Sequence, residues 1–373
     1  MNQRLGYIDA LRGIAALSVI IYHVIYNPGF ELSYSSVLHP VLGLGFTGVT
    51  LFFLVSAFTL CLTLDNRITE KNWVSKFYFR RAGRILPLYY AWLIVMLFYP
   101  YANGIGHQKA SILFFLLFTF NFVPGLQPGI VFASWTLAVE MIFYVIFPWI
   151  ILHVNNLKKS ILLFSASVIF AFIHYHYTFD IPGYLYHDGF FNQLPVFCVG
   201  IMTYWAYKIH LPRIVDVKKM AAVFFALFVL LFAACSLMIF LPYNMITYAI
   251  AVAYGCLLLG LALIPDTRLA NRITIFLGRI SYSLYLNHTL VILYLIPVYK
   301  DIYDTHFPAF LKMPICVLIT LSLVTVISCI TYHLIEKPGA RLISGISKAF
   351  FRTSSPDVYN KMMNKQADGS PRS

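Results

Sequence analysis

The sequence predicts an all-α polytopic membrane protein of about ten transmembrane helices plus one short, candidate re-entrant segment. Three observations predict it: composition, the spacing of apolar runs and the placement of lysine and arginine. Of 373 residues, 60% are hydrophobic and 11% charged, and the mean hydropathy is +0.77. A water-soluble domain of this size cannot hide so much apolar surface, so the solvent is a bilayer and the first partners are membrane lipids.

A span needs about 20 mostly apolar residues. Runs of that kind fall at 7–27, 41–63, 84–100, 132–154, 160–177, 190–207, 220–241, 245–264, 275–297 and 313–335. The stretch SILFFLLFTFNF at 111–122 is too short to cross, and it reads as re-entrant. Basic residues test the count, because they concentrate in cytoplasmic loops. With Arg4 and the N-terminus in the cytoplasm, the cytoplasmic segments hold Arg67, Lys71, Lys76, Arg80 and Arg81, then Lys158 and Lys159, then Lys208, Arg213, Lys218 and Lys219, then Arg268 and Arg272. The C-terminal segment adds Lys337, Arg341, Lys348 and Arg352. The opposite loops at 28–40, 178–189 and 242–244 have no lysine or arginine. Counting 111–122 as a full span would move Lys158 and Lys159 outside and invert every later loop. The expected arrangement is thus a multi-pass protein of the cell inner (plasma) membrane with both termini cytoplasmic. The bundle occupies 1–338, and 339–373 is expected to be a polar, largely disordered cytoplasmic tail.

The net charge of +13 does not point to nucleic acid. It lies between apolar segments, and no basic tract is interleaved with stacking aromatics. The cysteines at 61, 198, 235, 256, 316 and 329 sit within apolar runs and form no CxxC, which excludes a disulfide framework and a zinc site as expectations. Asp9 and Arg12 interrupt the first apolar run, so it reads as a span rather than a cleavable signal.

Four polar clusters then stand out. Arg12 and His23 are 11 residues apart in the first span; at about 100° and 1.5 Å per residue they share a helix face and lie about 16 Å apart along it. Ionisable groups at such depth face a bundle interior or a wet cavity; the plainer reading is a snorkelling arginine and a packing histidine. Arg80, Arg81 and Arg84 open the third span, with Arg81 and Arg84 on one face. Their planar forks suit phosphate oxygens, and topology alone would also account for one or two of them. Glu140, within SWTLAVEMIFY, is a carboxylate inside a span that needs a partner or a proton; it is either functional or half of a structural Glu–Arg pair. Tyr282, Tyr285 and His288, with Asn287, form a slanted polar stripe in the ninth span.

Together these stretches resemble the acyltransferase-3 family of integral membrane (O-)acyltransferases, from Tyr7 to Pro338. The family's Arg–x10–His phrase is similar to IDALRGIAALSVIIYH, its FFxLSGF phrase to FFLVSAF with Ala57 in place of glycine, and its RxxR phrase to Arg81 and Arg84 in RRAGRILPLYY. SWTLAVEMIFY from Ser134, SYSLYLNH ending at His288 and the closing YHLIEKPGAR match in order. The resemblance implies transfer of an acyl group, most often acetyl, from a cytoplasmic acyl-CoA to a hydroxyl of a cell-surface or lipid-linked glycan. Acetyl-CoA would be a donor substrate, no cofactor would be permanently bound, and glycan-assembly proteins are candidate partners. Within that frame His23 is the expected general base, Arg12 and Glu140 its catalytic companions, and Arg81 and Arg84 the donor-phosphate clamp. Ser134, Trp135, Tyr282, Asn287 and His288 are candidate acceptor or oxyanion contacts. No G-x-S-x-G elbow is present, so the acceptor hydroxyl is expected to attack directly. The rival class is a proton-coupled carrier or glycan exporter, which also buries Arg, His and Glu.

Overall fold

Each apolar run folds as a helix, because in lipid a backbone must satisfy its own N–H and C=O groups. The computed structural model describes residues 5–26, 28, 42–98, 111–237, 242–265 and 268–353. In chain order the helices are α1 (Gly6–Tyr26), α2 (Gly48–Leu64, preceded by a 3-10 turn Leu44–Thr47), α3 (Trp73–Leu97), α4 (Ser111–Leu117), α5 (Trp135–His153), α6 (Leu157–Thr178), α7 (Phe190–His210), α8 (Val217–Leu237), α9 (Tyr243–Leu263), α10 (Arg272–Arg279), α11 (Ser281–Asp304), α12 (Ala309–Thr331) and, after a π-turn Tyr332–Glu336, α13 (Lys337–Thr353).

The ten predicted spans fall on α1, α2, α3, α5, α6, α7, α8, α9, α11 and α12. Eight helices of the described residues are long and apolar enough to cross a membrane. The other two, α3 and α7, have the length but are diluted by polar residues, Arg80, Arg81 and Arg84 in one and Asn192 and Gln193 in the other. Only 11% of the most apolar stretch of α8 is buried, against 72% for α2. Helix α2 therefore forms the centre of the bundle, and α8 turns its apolar sides outward to lipid.

Around α2, α1 packs on one flank and α7 on another, and α7 also carries α6 and α9. The α2–α7 contact is close because Gly200 faces Leu54 and Ala57; a Cβ at Gly200 would lie 2.5 Å from the Leu54 carbonyl oxygen. The glycine that the FFxLSGF phrase places on α2 is thus supplied from the facing helix. Two polar ties fix which helix ends share a side. Lys208 at the end of α7 pairs with Asp65 at the end of α2, 2.7 Å apart. At the other side, Asn121 donates to the Asp188 carbonyl (2.8 Å) and accepts from the Phe190 amide (2.8 Å), and the Leu185 amide donates to Gln127.

The 111–122 segment is a seven-residue helix followed by a 3-10 turn, Thr119–Phe122. At about 1.5 Å per residue α4 is about 10 Å long and cannot cross. It dips beside α3, where Tyr89 and Tyr90 donate to the Phe115 and Leu116 carbonyls, each at 2.9 Å. Phe118 then reverses the chain with φ of 60°.

Three boundaries differ from the expected ones, the first being the start of α3, which lies at Trp73 and not at 84. The predicted span 275–297 is divided. Asn271 and Thr274 form a capping box that starts α10, an amphipathic helix laid against α1. A Cβ at Gly278 would lie 1.9 Å from the Asp9 carbonyl oxygen, so only glycine permits that contact, and α11 begins afresh at Ser281. The expected disordered tail from 339 is also corrected, because the chain stays helical to Thr353 and packs along α3. Its polar residues lie on one face and its apolar ones on the other, an arrangement that average polarity conceals. Residues 354–373 and Arg4 lie outside the described residues.

Candidate active site

Helix α1 carries Arg12 near its start and His23 in its last turn, and the bundle closes a polar interior around both. Three cavities line up through this interior. The first, of about 620 Å³, opens at the helix ends bearing the arginines, between α3 and α13, and Arg84 is in its wall. The second, of about 50 Å³, is lined by Arg84 again with Arg12, Glu140, Tyr282 and Tyr285. The third, of about 70 Å³, shares Val49 and Tyr285 with the second and is lined by His23, Trp135, Gln193 and Tyr243. Shared lining residues thus set the three cavities side by side between a basic mouth and His23.

The environment of His23 fixes its hydrogen bonding. His288 Nδ1 lies 2.5 Å from the Tyr285 carbonyl oxygen, which can only accept, so Nδ1 carries the hydrogen. The other nitrogen of a neutral imidazole then accepts. His288 Nε2 is 2.8 Å from His23 Nδ1, so His23 Nδ1 donates. This leaves His23 Nε2 with its lone pair available. The two rings stack with centroids 4.9 Å apart. His288 is fully buried, and Thr289 Oγ1, 3.1 Å away, also donates to its Nε2.

Glu140 belongs to the middle cavity. It accepts from Ser56 Oγ at 2.6 Å and from the Tyr144 hydroxyl, and it balances Arg12 electrostatically across the cavity. No hydrogen bond of the described residues joins it to His23. Its arrangement is that of a partly buried countercharge with both hydrogen bonds on Oε1. The arginines separate. Arg81 lies with its guanidinium 5.9 Å from the Phe77 ring and 5.7 Å from the Tyr144 ring, whereas Arg84 reaches both outer cavity and inner cavity. The Nε atoms of Arg12 and Arg81 are buried without a hydrogen-bond partner. Buried donors of that kind call for a water or an anionic ligand.

The remaining predicted contacts have different surroundings. Trp135 faces the His23 cavity. The Ser134 hydroxyl is buried just before α5 and has no partner. Asn287 has its amide committed elsewhere: it donates to Thr331 Oγ1 (2.9 Å) and Ser328 Oγ (3.2 Å), and accepts from Trp92 Nε1 (2.8 Å). Tyr282 donates to the Ile85 carbonyl at 2.8 Å. Both therefore tie helices together and have no hydrogen left to donate to an oxyanion. Sequence reasoning missed Gln193, Tyr243 and Ser56, which lie on three different helices. It also missed Asp188, in the loop before α7, whose carboxyl burial pushes up to about 6 and whose charge is felt at Tyr243 and Tyr285.

One further property emerges from the helix directions. The His23 cavity is lined by residues from the first turns of α2, α5, α7 and α9: Val49, Trp135, Gln193 and Tyr243. First-turn N–H groups lack intrahelical partners, and the helix dipole is positive there. Three such ends, those of α5, α7 and α9, converge where His23 sits, whereas α2 continues from the preceding 3-10 turn, whose carbonyls accept the Gly48 N–H.

Comparison with known proteins gives the family. The model of the acyltransferase-3 family, described as an acyltransferase domain, matches residues 5–333. The chain belongs to the acyltransferase-3 family. Among other members and relatives, it is 27% identical over 292 residues to "Putative acetyltransferase ORF330" of Acidianus two-tailed virus, covering 76% of this chain and 82% of that protein. It is 23% identical over 393 residues to "Putative O-acetyltransferase SAR0937" of Staphylococcus aureus strain MRSA252, and 23% identical over 392 residues to "Putative O-acetyltransferase SACOL0978" of strain COL. These two alignments cover 95% of this chain but 60% of the staphylococcal proteins, so the chain matches only part of their length. No solved structure matches the chain. As a member of this family the protein is a membrane acyltransferase, and Arg12, Arg84, Glu140, His23 and His288 all lie within the matched residues.

Proposed function

We propose that the protein is an O-acetyltransferase that moves acetyl from cytoplasmic acetyl-CoA to a hydroxyl of a cell-surface or lipid-linked glycan, with His23 as the general base. The observation that carries this reading is the run of cavities from the basic mouth, past Arg12 and Glu140, to the free Nε2 of His23. A charged nucleotide end stays at the mouth while a thin thioester-bearing arm reaches inward. The two inner cavities are narrow, so the arm enters only as lining rings move apart; Tyr285, common to both, is the ring that has to turn.

In the reaction, the acceptor oxygen attacks the thioester carbonyl carbon as His23 Nε2 takes the hydroxyl proton. The new C–O bond forms, and negative charge develops on the former carbonyl oxygen. The converging helix N-termini favour that charge. The intermediate then collapses, the C–S bond breaks, and the proton on His23 passes to the departing sulfur. The products are an O-acetyl ester and free CoA. The imidazolium formed midway still donates from Nδ1 to His288, so the ring stays oriented through both proton transfers.

The test is direct. Membranes containing the protein, supplied with acetyl-CoA labelled in the acetyl group, should place alkali-labile label on glycan, and cells lacking the gene should lack that ester. If the purified protein neither binds nor consumes acetyl-CoA but moves a glycan across vesicles, the carrier reading replaces this one. The direction of transfer adds an expected topology. In a background without native cysteines, single cysteines at the exposed positions Pro128 and Asp180 should react with a membrane-impermeant thiol reagent from outside intact cells. A cysteine at exposed Lys158 should react only after permeabilisation. The reverse pattern would put the basic mouth outside, away from acetyl-CoA.

A further inference from the structure

Helix α13 is the element that the sequence concealed, and it forms one wall of the largest cavity described. Along it, Lys337, Arg341, Ser344 and Lys348 recur at spacings of four, three and four and line the groove facing α3. On another face, Leu342, Ile346 and Phe350 recur every four residues and are 67%, 52% and 56% exposed. A helix with a basic face and an exposed apolar stripe lies at a membrane surface. Here the basic face, exposed though it is, also lines a groove whose opposite wall carries Arg80 and Arg84.

The groove therefore gathers five cations, Arg80, Arg84, Lys337, Arg341 and Lys348, against one carboxylate, Glu336. Like charges are costly to collect unless an anion occupies the space between them. Glu336, held by Ser283 Oγ at 2.7 Å, interacts electrostatically with Arg84, and a single carboxylate leaves the group with a large excess of positive charge. The volume of about 620 Å³ is within the range of sites that enclose a whole small molecule. Phe79 and Tyr332 add aromatic faces to the wall. Phosphate-binding cations, aromatic surface and one hydrogen-bond-accepting carboxylate make a combination suited to a phosphorylated nucleoside: phosphates for the cations, a base for the rings, and a ribose hydroxyl or exocyclic amine for Glu336.

We infer that the groove between α3 and α13 holds the 3′-phosphorylated adenosine diphosphate end of the donor, with Arg80, Arg341 and Lys348 as phosphate contacts beyond Arg84. The inference rests on the proposed use of acetyl-CoA. It assigns donor docking to a C-terminal helix as well as to α3, and it gives Arg81, seated between the Phe77 and Tyr144 rings, no direct phosphate contact. An anionic lipid headgroup offers the same phosphate chemistry. The nucleotide is favoured because Arg84 also lines the next cavity in a series that ends at His23, an alignment that a headgroup does not need.

The test uses the full chain in nanodiscs of zwitterionic lipid and, separately, of lipid containing phosphatidylglycerol. Adenosine 3′,5′-bisphosphate binding is measured by calorimetry for wild type, for Arg341→Glu/Lys348→Glu, for the milder Arg341→Gln/Lys348→Gln and for the distant surface control Lys158→Glu. All four should elute as the same folded species, since the substituted side chains are exposed. Expected is binding in both lipids, about 10-fold or more weaker in the glutamate variant, intermediate in the glutamine variant and unchanged in the control. The KM for acetyl-CoA should rise in parallel, with kcat within about threefold and transfer from acetyl-pantetheine unaltered. Unchanged bisphosphate affinity in both double variants overturns the site. So does loss of nucleotide binding whenever phosphatidylglycerol is present, which would give the groove to lipid. If the bisphosphate binds as expected while acetyl-CoA supports no transfer, the groove stands and the acetyltransferase reading falls. If transfer proceeds at an unaltered KM in the glutamate variant, the reverse holds.

Discussion

His23→Ala reduces acetyl transfer by about 10²–10⁴-fold, the range that removal of a positioned general base produces, while the protein inserts and accumulates as wild type does. The expectation follows from the position of the ring. His23 ends α1, it is only partly buried, and its Nε2 faces a cavity rather than a packed neighbour. Truncating it removes the one hydrogen bond to His288 and no helix-to-helix contact of the hydrophobic interior, which is formed instead by Ala16, Ile20 and Val24 on the same helix. Quantitative immunoblotting of washed membranes gives the amount of protein, and single-turnover transfer from labelled acetyl-CoA gives the chemistry. Binding of acetyl-CoA should be preserved, because the groove proposed for its nucleotide end lies at the opposite end of the cavity series. A well-expressed His23→Ala protein within threefold of wild type would remove the base assignment and with it the proposed mechanism.

The parts of this molecule legible in sequence are those set by short-range rules. Bilayer thickness makes each span declare itself as an apolar run, so the spanning helices are recoverable, while the basic start of α3 at Trp73 and the break before Ser281 are not. Arg12 and His23 share a face by helical repeat alone, and the basic loops mark one side by charge alone. Tertiary relations were not legible. Nothing local in Asn287 reveals that its amide is held by Trp92, Ser328 and Thr331, and nothing in the 81–84 phrase tells Arg81, covered by rings, from Arg84, which faces two cavities. The C-terminal helix is an intermediate case. Its average polarity suggested a disordered tail, yet the four-residue recurrence of Leu342, Ile346 and Phe350 is a helical signal. Likewise Asn271 followed by Thr274 marks a helix start, and it falls just ahead of the first residue assigned to the ninth span.

His288 shows why partners distant in sequence carry the decisive information, since 265 residues separate it from His23. It acts as a positioning residue: it accepts the Nδ1 hydrogen of His23 and so reserves Nε2 for the substrate. His288→Ala removes that acceptor. The imidazole of His23 then loses its orientation and distributes its hydrogen between both nitrogens, and kcat is expected to fall by about 10- to 100-fold, less than the fall of about 10²–10⁴-fold for loss of the base itself. The KM for acetyl-CoA should change little, because His288 lines none of the three cavities. His288→Gln separates orientation from packing. A glutamine carbonyl oxygen can accept the same hydrogen, so this variant should recover at least part of the lost kcat. A purely space-filling role makes a different forecast, in which activity tracks volume and stability, and Ala and Gln both fail through reduced yield. Selective ¹⁵N labelling of histidine adds a readout that packing does not move. In wild type the His23 signals should report hydrogen on Nδ1, in His288→Gln they should do the same, and in His288→Ala they should report a mixture. Equal kcat losses in the Ala and Gln variants, with His23 keeping its Nδ1 hydrogen in both, would show that the ring is oriented by something other than His288.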